Sequence, residues 1–254
     1  MSEEIVRVPT GIAGLDKMLE GGIPKGYTVL VAGGPGSGKS TLAMQFIYNG
    51  ITKYGENGIY ATLQENPDEM KTNFSRFGWN LDKVDILALI PEKAGELEDD
   101  YILPARIEKA EDDIAFEWFS SEQVKKLIAE KVKETGATRI VIDSLAPLLL
   151  QIDNSFSIRQ EILDLVTQLK KLGCTTLLIT EMPEGQKGVS RFDVEEFMSQ
   201  GIIVVYNIPK GSERVRGLEI LKMRGTNHSK KICLMDIAKN GIVVYSDENL
   251  HREI

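Results

Sequence analysis

A glycine-rich stretch near the amino terminus has the residue types and the spacing of a phosphate-binding loop. Residues 33–40 read GGPGSGKS and match the pattern G-x-x-x-x-G-K-[ST]. Glycines let the backbone wrap around a phosphate with its N–H groups pointing inward, and a following helix adds partial positive charge. Lys39 would bridge the β- and γ-phosphates of a nucleoside triphosphate, and the Ser40 hydroxyl would bind Mg²⁺. The residues predicted to contact the nucleotide are Gly34, Pro35, Gly36, Ser37, Gly38, Lys39, Ser40 and Thr41.

A second metal ligand is predicted at Asp143, which ends the apolar run RIVID. Such a run is typical of a buried parallel strand, and its last residue would lie at the carboxyl edge of the sheet. Ser40 and Asp143 both offer the oxygen ligands that Mg²⁺ prefers. The alternative is a strand-end aspartate that caps the next turn.

A third group of chemically useful residues lies in the stretch KMRGTNH, residues 222–228. Lys222 and Arg224 are two apart, so on a strand they would project from one face. By the same alternation we expect Leu218 and Ile220 on that face. His228, one of two histidines in the chain, follows closely. The alternative is a solvated strand end with no function.

Strands and helices alternate through residue 181, with the phosphate-binding stretch between a predicted strand and a predicted helix. Beyond Glu181 the sequence predicts strands without long helices, and Asn240-Gly241 indicates a hairpin between the last two. The fold class is therefore α/β, with a mostly parallel central sheet flanked by helices and a C-terminal antiparallel hairpin extension. With no linker or repeat visible, we expect residues 1–254 to form a single domain.

The net charge of −8 at pH 7 argues against a protein coated for nucleic-acid binding. Residues 91–120 hold ten acidic and three basic residues and are expected to form an insertion or mobile loop. Residues 186–231 hold nine basic and five acidic residues, so a basic patch there stays open.

No apolar run reaches the ~18 residues that a membrane-spanning helix needs, and no secretory signal is visible. Cys174 and Cys233, the two cysteines, lie in apolar runs and are expected to be free thiols in a reducing compartment. We therefore expect a cytoplasmic protein.

Several stretches together resemble the KaiC-like branch of the RecA-like P-loop NTPases, which includes a circadian-clock ATPase and single-domain archaeal proteins. The stretches are PTGIAGLDKMLEGGIPKG, the phosphate-binding loop, RFGWNL, IVIDS, ITE, VEEFMSQG and LEILKMRGTNH. The resemblance extends from about residue 8 to residue 246. The clock protein carries two such domains and this chain carries one, so clock function and autophosphorylation are not implied.

The resemblance implies an ATP- and Mg²⁺-dependent homo-oligomer, a hexameric ring with nucleotide sites between subunits. Lys222 and Arg224 would reach the neighbour's γ-phosphate, and Arg216 and His228 would line the same interface. Glu181, at the end of a strand, would sense the γ-phosphate of its own site. The alternative for Glu181 is a solvated strand-end acid.

The resemblance also implies a catalytic glutamate at the end of the second main strand, where these domains usually carry two adjacent glutamates. This chain has Gln64 followed by Glu65 in the stretch YATLQEN. Glutamine orients water but cannot accept its proton, so we expect a slow ATPase with Glu65 as the catalytic acid and Gln64 assisting. The alternative is that Glu65 only caps the next helix.

Three functions follow from these residues. The first is an ATP-hydrolysing ring that couples nucleotide state to an unknown protein partner. The second is an ATP-dependent switch or scaffold with little hydrolysis, and the third is a recombinase-like protein acting on DNA. DNA binding is not favoured, but residues 182–192 and 207–214 keep it open through Lys187, Arg191, Lys210 and Arg214.

Overall fold

A computed structural model describes residues 5–90, 119–150, 152, 154–182 and 198–250. Its main feature is a nine-stranded sheet in the order β11-β10-β9-β8-β3-β7-β6-β4-β5. The strands from β8 to β5 are parallel, and β9, β10 and β11 continue the sheet in antiparallel fashion. The strands are β1 Arg7–Val8, β2 Ile23–Pro24, β3 Thr28–Gly33, β4 Gly58–Thr62, β5 Asp85–Ala88, β6 Arg139–Asp143, β7 Thr175–Glu181, β8 Gly201–Lys210, β9 Glu213–Met223, β10 Cys233–Ala238 and β11 Gly241–Asn249.

Helices cover both faces of the sheet, and three of them begin at residues whose side chains cap the helix. The Asn66 side chain accepts a hydrogen bond from the Asp68 amide, and Ser120 and Gln123 form a capping box. The helices are α1 Leu15–Met18, α2 Lys39–Tyr54, α3 Pro67–Ser75, α4 Ser121–Thr135, α5 Ala146–Leu149 and α6 Ser155–Lys171, with a 3₁₀ turn at Leu81–Lys83. Among the described residues, no helix is both long and apolar enough to cross a membrane.

The sheet separates two apolar cores. One lies under α1, α2 and α3 and includes Phe46, Val141 and Ile203; the other lies under α4, α5 and α6 and includes Ile142 and Ile202. All six residues of β3 are buried, as expected for a central parallel strand covered on both faces. This strand leads directly into the phosphate-binding loop and fixes its position.

The structure confirms the predicted α/β class, the mostly parallel sheet and the antiparallel extension. The hairpin at Asn240-Gly241 is present, with Ala238 paired to Gly241. Residues 207–214 are a hairpin of β8 and β9 rather than an open loop, since Asn207 pairs with Arg216 and Lys210 with Glu213. The proposed insertion at residues 91–120, apart from its last two residues, and residues 183–192 lie outside the described residues.

The predicted face of β9 is wrong because the strand carries a β-bulge. Ile220 pairs with Ile203, but Lys222 pairs with Ile202, so Leu221 is an extra residue. Lys222 therefore projects from the face of the sheet opposite to Leu218 and Ile220. Met223, and not Lys222, follows those two residues in the same apolar core. The strand that carries Lys222 is also not at the edge of the sheet, because β9 lies between β8 and β10.

Candidate nucleotide site

The phosphate-binding loop, residues 33–40, joins the end of β3 to the first turn of α2. Gly38 has a φ of 104°, which L side chains rarely adopt, and it directly precedes the helix. The Ser37 hydroxyl is buried without a hydrogen-bond partner among the described residues. The unfilled N–H groups of the α2 amino terminus and this hydroxyl suit an anionic ligand.

Lys39 folds back over the loop, and its Nζ donates a hydrogen bond to the Gly34 carbonyl at 3.0 Å. Burial lowers the pKa of this lysine, while the charges of Asp143 and Glu181 oppose that shift. A triphosphate would bring further negative charge to Nζ. The ammonium is therefore held where a phosphate would stabilise its charged form.

Asp143 ends β6, and its Oδ2 accepts a hydrogen bond from the Tyr60 hydroxyl at 2.5 Å. The Ser40 hydroxyl is hydrogen-bonded to the same carboxylate. Burial raises the pKa of Asp143, whereas the bonds from Tyr60 and Ser40 and the charge of Lys39 lower it. The two predicted metal ligands thus lie side by side, although β7 separates β6 from β3.

This pair of oxygen ligands fits Mg²⁺ bound together with a nucleotide. Among the described residues, no group of three or more His, Cys, Asp or Glu side chains could hold a metal by itself. Mg²⁺ commonly binds through one or two protein oxygens plus substrate phosphates and waters. Ser40 and Asp143 would supply the protein's share.

Tyr60 is the residue of this site that the sequence did not suggest. It lies in β4, two residues before Thr62, which pairs with Asp143 across the sheet. Burial and the neighbouring carboxylate raise its pKa well above the ordinary value, so the phenol stays a hydrogen-bond donor. A tyrosine inside a fully buried strand is a usable signal, because a buried hydroxyl needs a partner.

Gln64 and Glu65 follow β4 in a short bend before α3. Glu65 Oε1 accepts a hydrogen bond from Asn73 Nδ2 at 2.5 Å, and its backbone N–H binds Thr62 Oγ1 at 3.0 Å. The helix cap is Asn66, so capping does not explain Glu65. Gln64 is exposed.

Glu181 ends β7 and pairs with Gly33 at the base of the phosphate-binding loop. Its charge acts on both Lys39 and Asp143. Thr41 lies half-buried in the first turn of α2. Both residues are therefore at the same end of the sheet as the loop.

Arg216 also belongs to this end, which corrects its predicted grouping with Lys222 and Arg224. Its Nε donates to the Gly36 carbonyl at 3.1 Å, and Asn207 Nδ2 donates to the Pro35 carbonyl at 3.2 Å. The β8–β9 hairpin thus contacts the chain's own phosphate-binding loop at Pro35 and Gly36.

Lys222, Arg224 and His228 lie at the opposite end of the sheet. Gly33 is level with Val205, whereas Met223 pairs with Gly201, which is level with Val29. At roughly 3.3 Å per residue, four residues of β3 separate the two levels by about 13 Å. Lys222 Nζ donates to the Ser199 carbonyl at 2.9 Å, Arg224 is exposed, and His228 Nδ1 lies 2.9 Å from the Ser229 carbonyl.

Comparisons with known proteins give a family match over most of the chain. The family model described as "ATPase: KaiC" matches residues 8–249. The circadian clock oscillator protein KaiC of Thermostichus vulcanus is 39% identical over 251 residues, covering 96% of this chain and 45% of that protein. KaiC of Synechococcus elongatus is 35% identical over 243 residues. The chain thus spans about half the length of these relatives.

A solved structure of a KaiC-like protein from the archaeon Pyrococcus horikoshii is similar over its whole length. The TM-score is 0.78 and the sequence identity 36%, with 95% of this chain and 100% of that chain covered. This match confirms the predicted RecA-like fold.

Proposed function

The chain belongs to the KaiC ATPase family, and we propose that it is a slow ATPase that works as a homo-oligomeric ring. Each nucleotide site would lie between two subunits. One subunit supplies the phosphate-binding loop, and its neighbour supplies Lys222, Arg224 and His228. The ring would be hexameric and would couple nucleotide state to a protein partner.

The observation that carries this proposal is the position of the basic residues. Lys222 and Arg224 lie about 13 Å below the carboxyl end of β3, and the loop extends further away from them. They are therefore too far to complete the nucleotide site of their own chain. A neighbouring subunit can present its loop to them in a head-to-tail contact.

The chemistry that this site supports is attack of water on the γ-phosphate of ATP. The P–O bond to the β-phosphate breaks as the new bond to water forms, and the water proton passes to the Glu65 carboxylate. Bound Mg²⁺ would neutralise phosphate charge. Lys39 would neutralise the β- and γ-phosphates, Ser40 and Asp143 would hold the metal, and Glu181 would sense the γ-phosphate.

The proposal of slow turnover rests on the side chains of Glu65 and Gln64. Glu65 has an acidic side chain, but its Oε1 is bound to Asn73, and Gln64 cannot accept a proton. General-base assistance contributes about 10²–10⁴-fold, so weak assistance costs much of that factor. For the same reason Gln64 favours a second function, an ATP-dependent switch that hydrolyses little.

DNA binding stays the least supported function. Lys210 and Arg214 lie exposed on the β8–β9 hairpin, but both Nε and Nη2 of Arg214 bind Asn207 within that hairpin. Binding that weakens steeply with salt would support DNA binding.

The test of the interface site is a mixture of two inactive variants. Arg224→Ala should bind ATP nearly normally with reduced turnover, and Lys39→Ala should not bind ATP. In mixed rings some interfaces would pair an intact loop with intact basic residues, so part of the turnover should return. If subunit exchange is seen by mass and no turnover returns, the shared site is wrong.

A further inference from the structure

The segment that carries Arg224 is a short loop with few bonds of its own. We define the basic loop as residues 224–228. Inside it Gly225 has a φ of 66°, and the Thr226 amide binds the Met223 carbonyl at 3.3 Å. Its two ends are fixed by backbone bonds, from the Arg224 amide to Gln200 and from the Ser229 amide to Met18, each 3.0 Å long.

The middle of the basic loop is held by Arg7, a residue at the other end of the chain. The Arg7 side chain is only 17% exposed, and its guanidinium donates a hydrogen bond to the Thr226 hydroxyl at 2.9 Å, a contact across 219 residues of sequence. Its other acceptors are Glu20 Oε2 at 2.9 Å, the Leu19 carbonyl at 3.2 Å, the Gly22 carbonyl at 3.3 Å and the Gly225 carbonyl at 3.5 Å. Only arginine has enough donors in a fixed plane for so many acceptors.

Glu20 completes the contact from the other side. Its Oε2 accepts hydrogen bonds from the Arg7 guanidinium and, at 3.1 Å, from the backbone N–H of Asn227. With a φ of 54°, Glu20 is the one non-glycine with positive φ among the residues that the structure describes. Side chains rarely adopt this conformation, and it persists only where the surroundings impose it. Here it places the carboxylate on the basic loop.

We infer that Arg7 and Glu20 are positioning residues that hold the basic loop so that Arg224 and His228 reach the neighbouring subunit's nucleotide. The inference rests on the proposed interface site. Both residues contact the basic loop, whereas the chain's own phosphate-binding loop lies at the other end of the sheet. Loss of Arg7 or Glu20 should therefore lower turnover at the neighbouring subunit's nucleotide site. ATP binding by the subunit's own phosphate-binding loop should be unchanged.

A merely structural ion pair would behave differently, and the chain offers a matched control. Lys17 and Asp247 form an ion pair at 2.9 Å in the same region, but with side chains 66% and 83% exposed. Lys17→Ala breaks this pair without touching the basic loop. We expect it to leave turnover unchanged, because exposed pairs contribute little.

The experiment asks which variants restore one another in mixed rings. Glu20→Ala should bind ATP like the unmodified protein and lose about ten-fold or more of its turnover, as part of the arginine contribution of about 10³–10⁵. Mixing Glu20→Ala with Lys39→Ala should restore turnover. Mixing Glu20→Ala with Arg224→Ala should restore none, because both variants fail as donors. Glu20→Gln keeps an oxygen for the Asn227 amide and should lose less.

Thr226→Val removes one acceptor of Arg7 without altering the amino-terminal segment. Thr226→Val replaces Glu20→Ala in the experiment if Glu20→Ala does not fold. Mixed with Arg224→Ala, it should also restore no turnover. Restoration of Arg224→Ala by either variant would overturn the inference, as would unchanged turnover in both. If Lys39→Ala and Arg224→Ala do not restore each other, the interface site itself is wrong and the inference falls with it.

Discussion

The proposed roles of Glu65 and Gln64 in turnover can be tested by two substitutions. Glu65→Gln removes the one acidic side chain in this bend, so turnover should fall by about ten-fold or more with ATP affinity unchanged. Gln64→Glu adds a proton acceptor beside it and should raise turnover. Single-turnover hydrolysis with separate ATP-binding measurements would show both effects. If both variants hydrolysed ATP at the rate of the unmodified protein, another group would have to activate the water.

Tyr60 would support a bound Mg²⁺ through its hydrogen bond to Asp143. Tyr60→Phe removes the hydrogen bond to Oδ2, which should raise the pKa of the buried carboxyl further and leave its orientation less fixed. Loss of such a supporting bond typically costs about 10–100-fold in metal affinity. The Mg²⁺ concentration for half-maximal turnover should therefore increase by about ten-fold or more.

The matched control for this variant is Tyr48→Phe. Tyr48 lies in α2, and its hydroxyl accepts the Asn80 amide at 3.4 Å, away from the candidate site. Its Mg²⁺ requirement should not change. An unaltered requirement in Tyr60→Phe would show that Asp143 is held by other groups.

The β8–β9 hairpin is the element that supports the phosphate-binding loop from outside. Arg216→Met removes the bond to the Gly36 carbonyl. A loss of about 1 kcal/mol would weaken ATP binding by about five-fold. Lys210→Met removes a charge from the exposed end of the same hairpin and should leave ATP affinity unchanged. Titration with ATP measures both, and equal affinities would exclude a supporting role for Arg216.

The elements differ in how far local sequence determined them. The pattern GGPGSGKS dictates its own backbone, and RIVID is buried enough to place Asp143 at a strand end, so both were predictable. The bulge at Leu221 was not predicted. The adjacent apolar residues Ile220 and Leu221 interrupt the alternation of LEILKM, but only the pairing with β8 shows which residue is extra. Tyr60 contacts Asp143 across 83 residues, and Arg7 contacts Thr226 across 219 residues. One sequence does not reveal such distant contacts.

At the scale of the whole molecule, the two halves of the proposed site lie at opposite ends of one sheet. Lys222 is level with the start of β8, whereas the phosphate-binding loop follows the end of β3. A head-to-tail contact that joins these ends is heterologous, and repeated heterologous contacts form a ring where the rotation between subunits closes. The nucleotide would lie within that contact, so its binding should favour assembly.

The mass of the assembly tests this arrangement directly. With ATP and Mg²⁺ the protein should reach six times the 28.2 kDa of the chain, and without nucleotide the mass should be lower at the same concentration. Lys39→Ala should show no response to ATP, because it cannot load the interface. Arg224→Ala should respond more weakly, since the phosphates lose a contact across the interface. A dimer whose mass is unaffected by ATP would contradict the proposed hexameric ring.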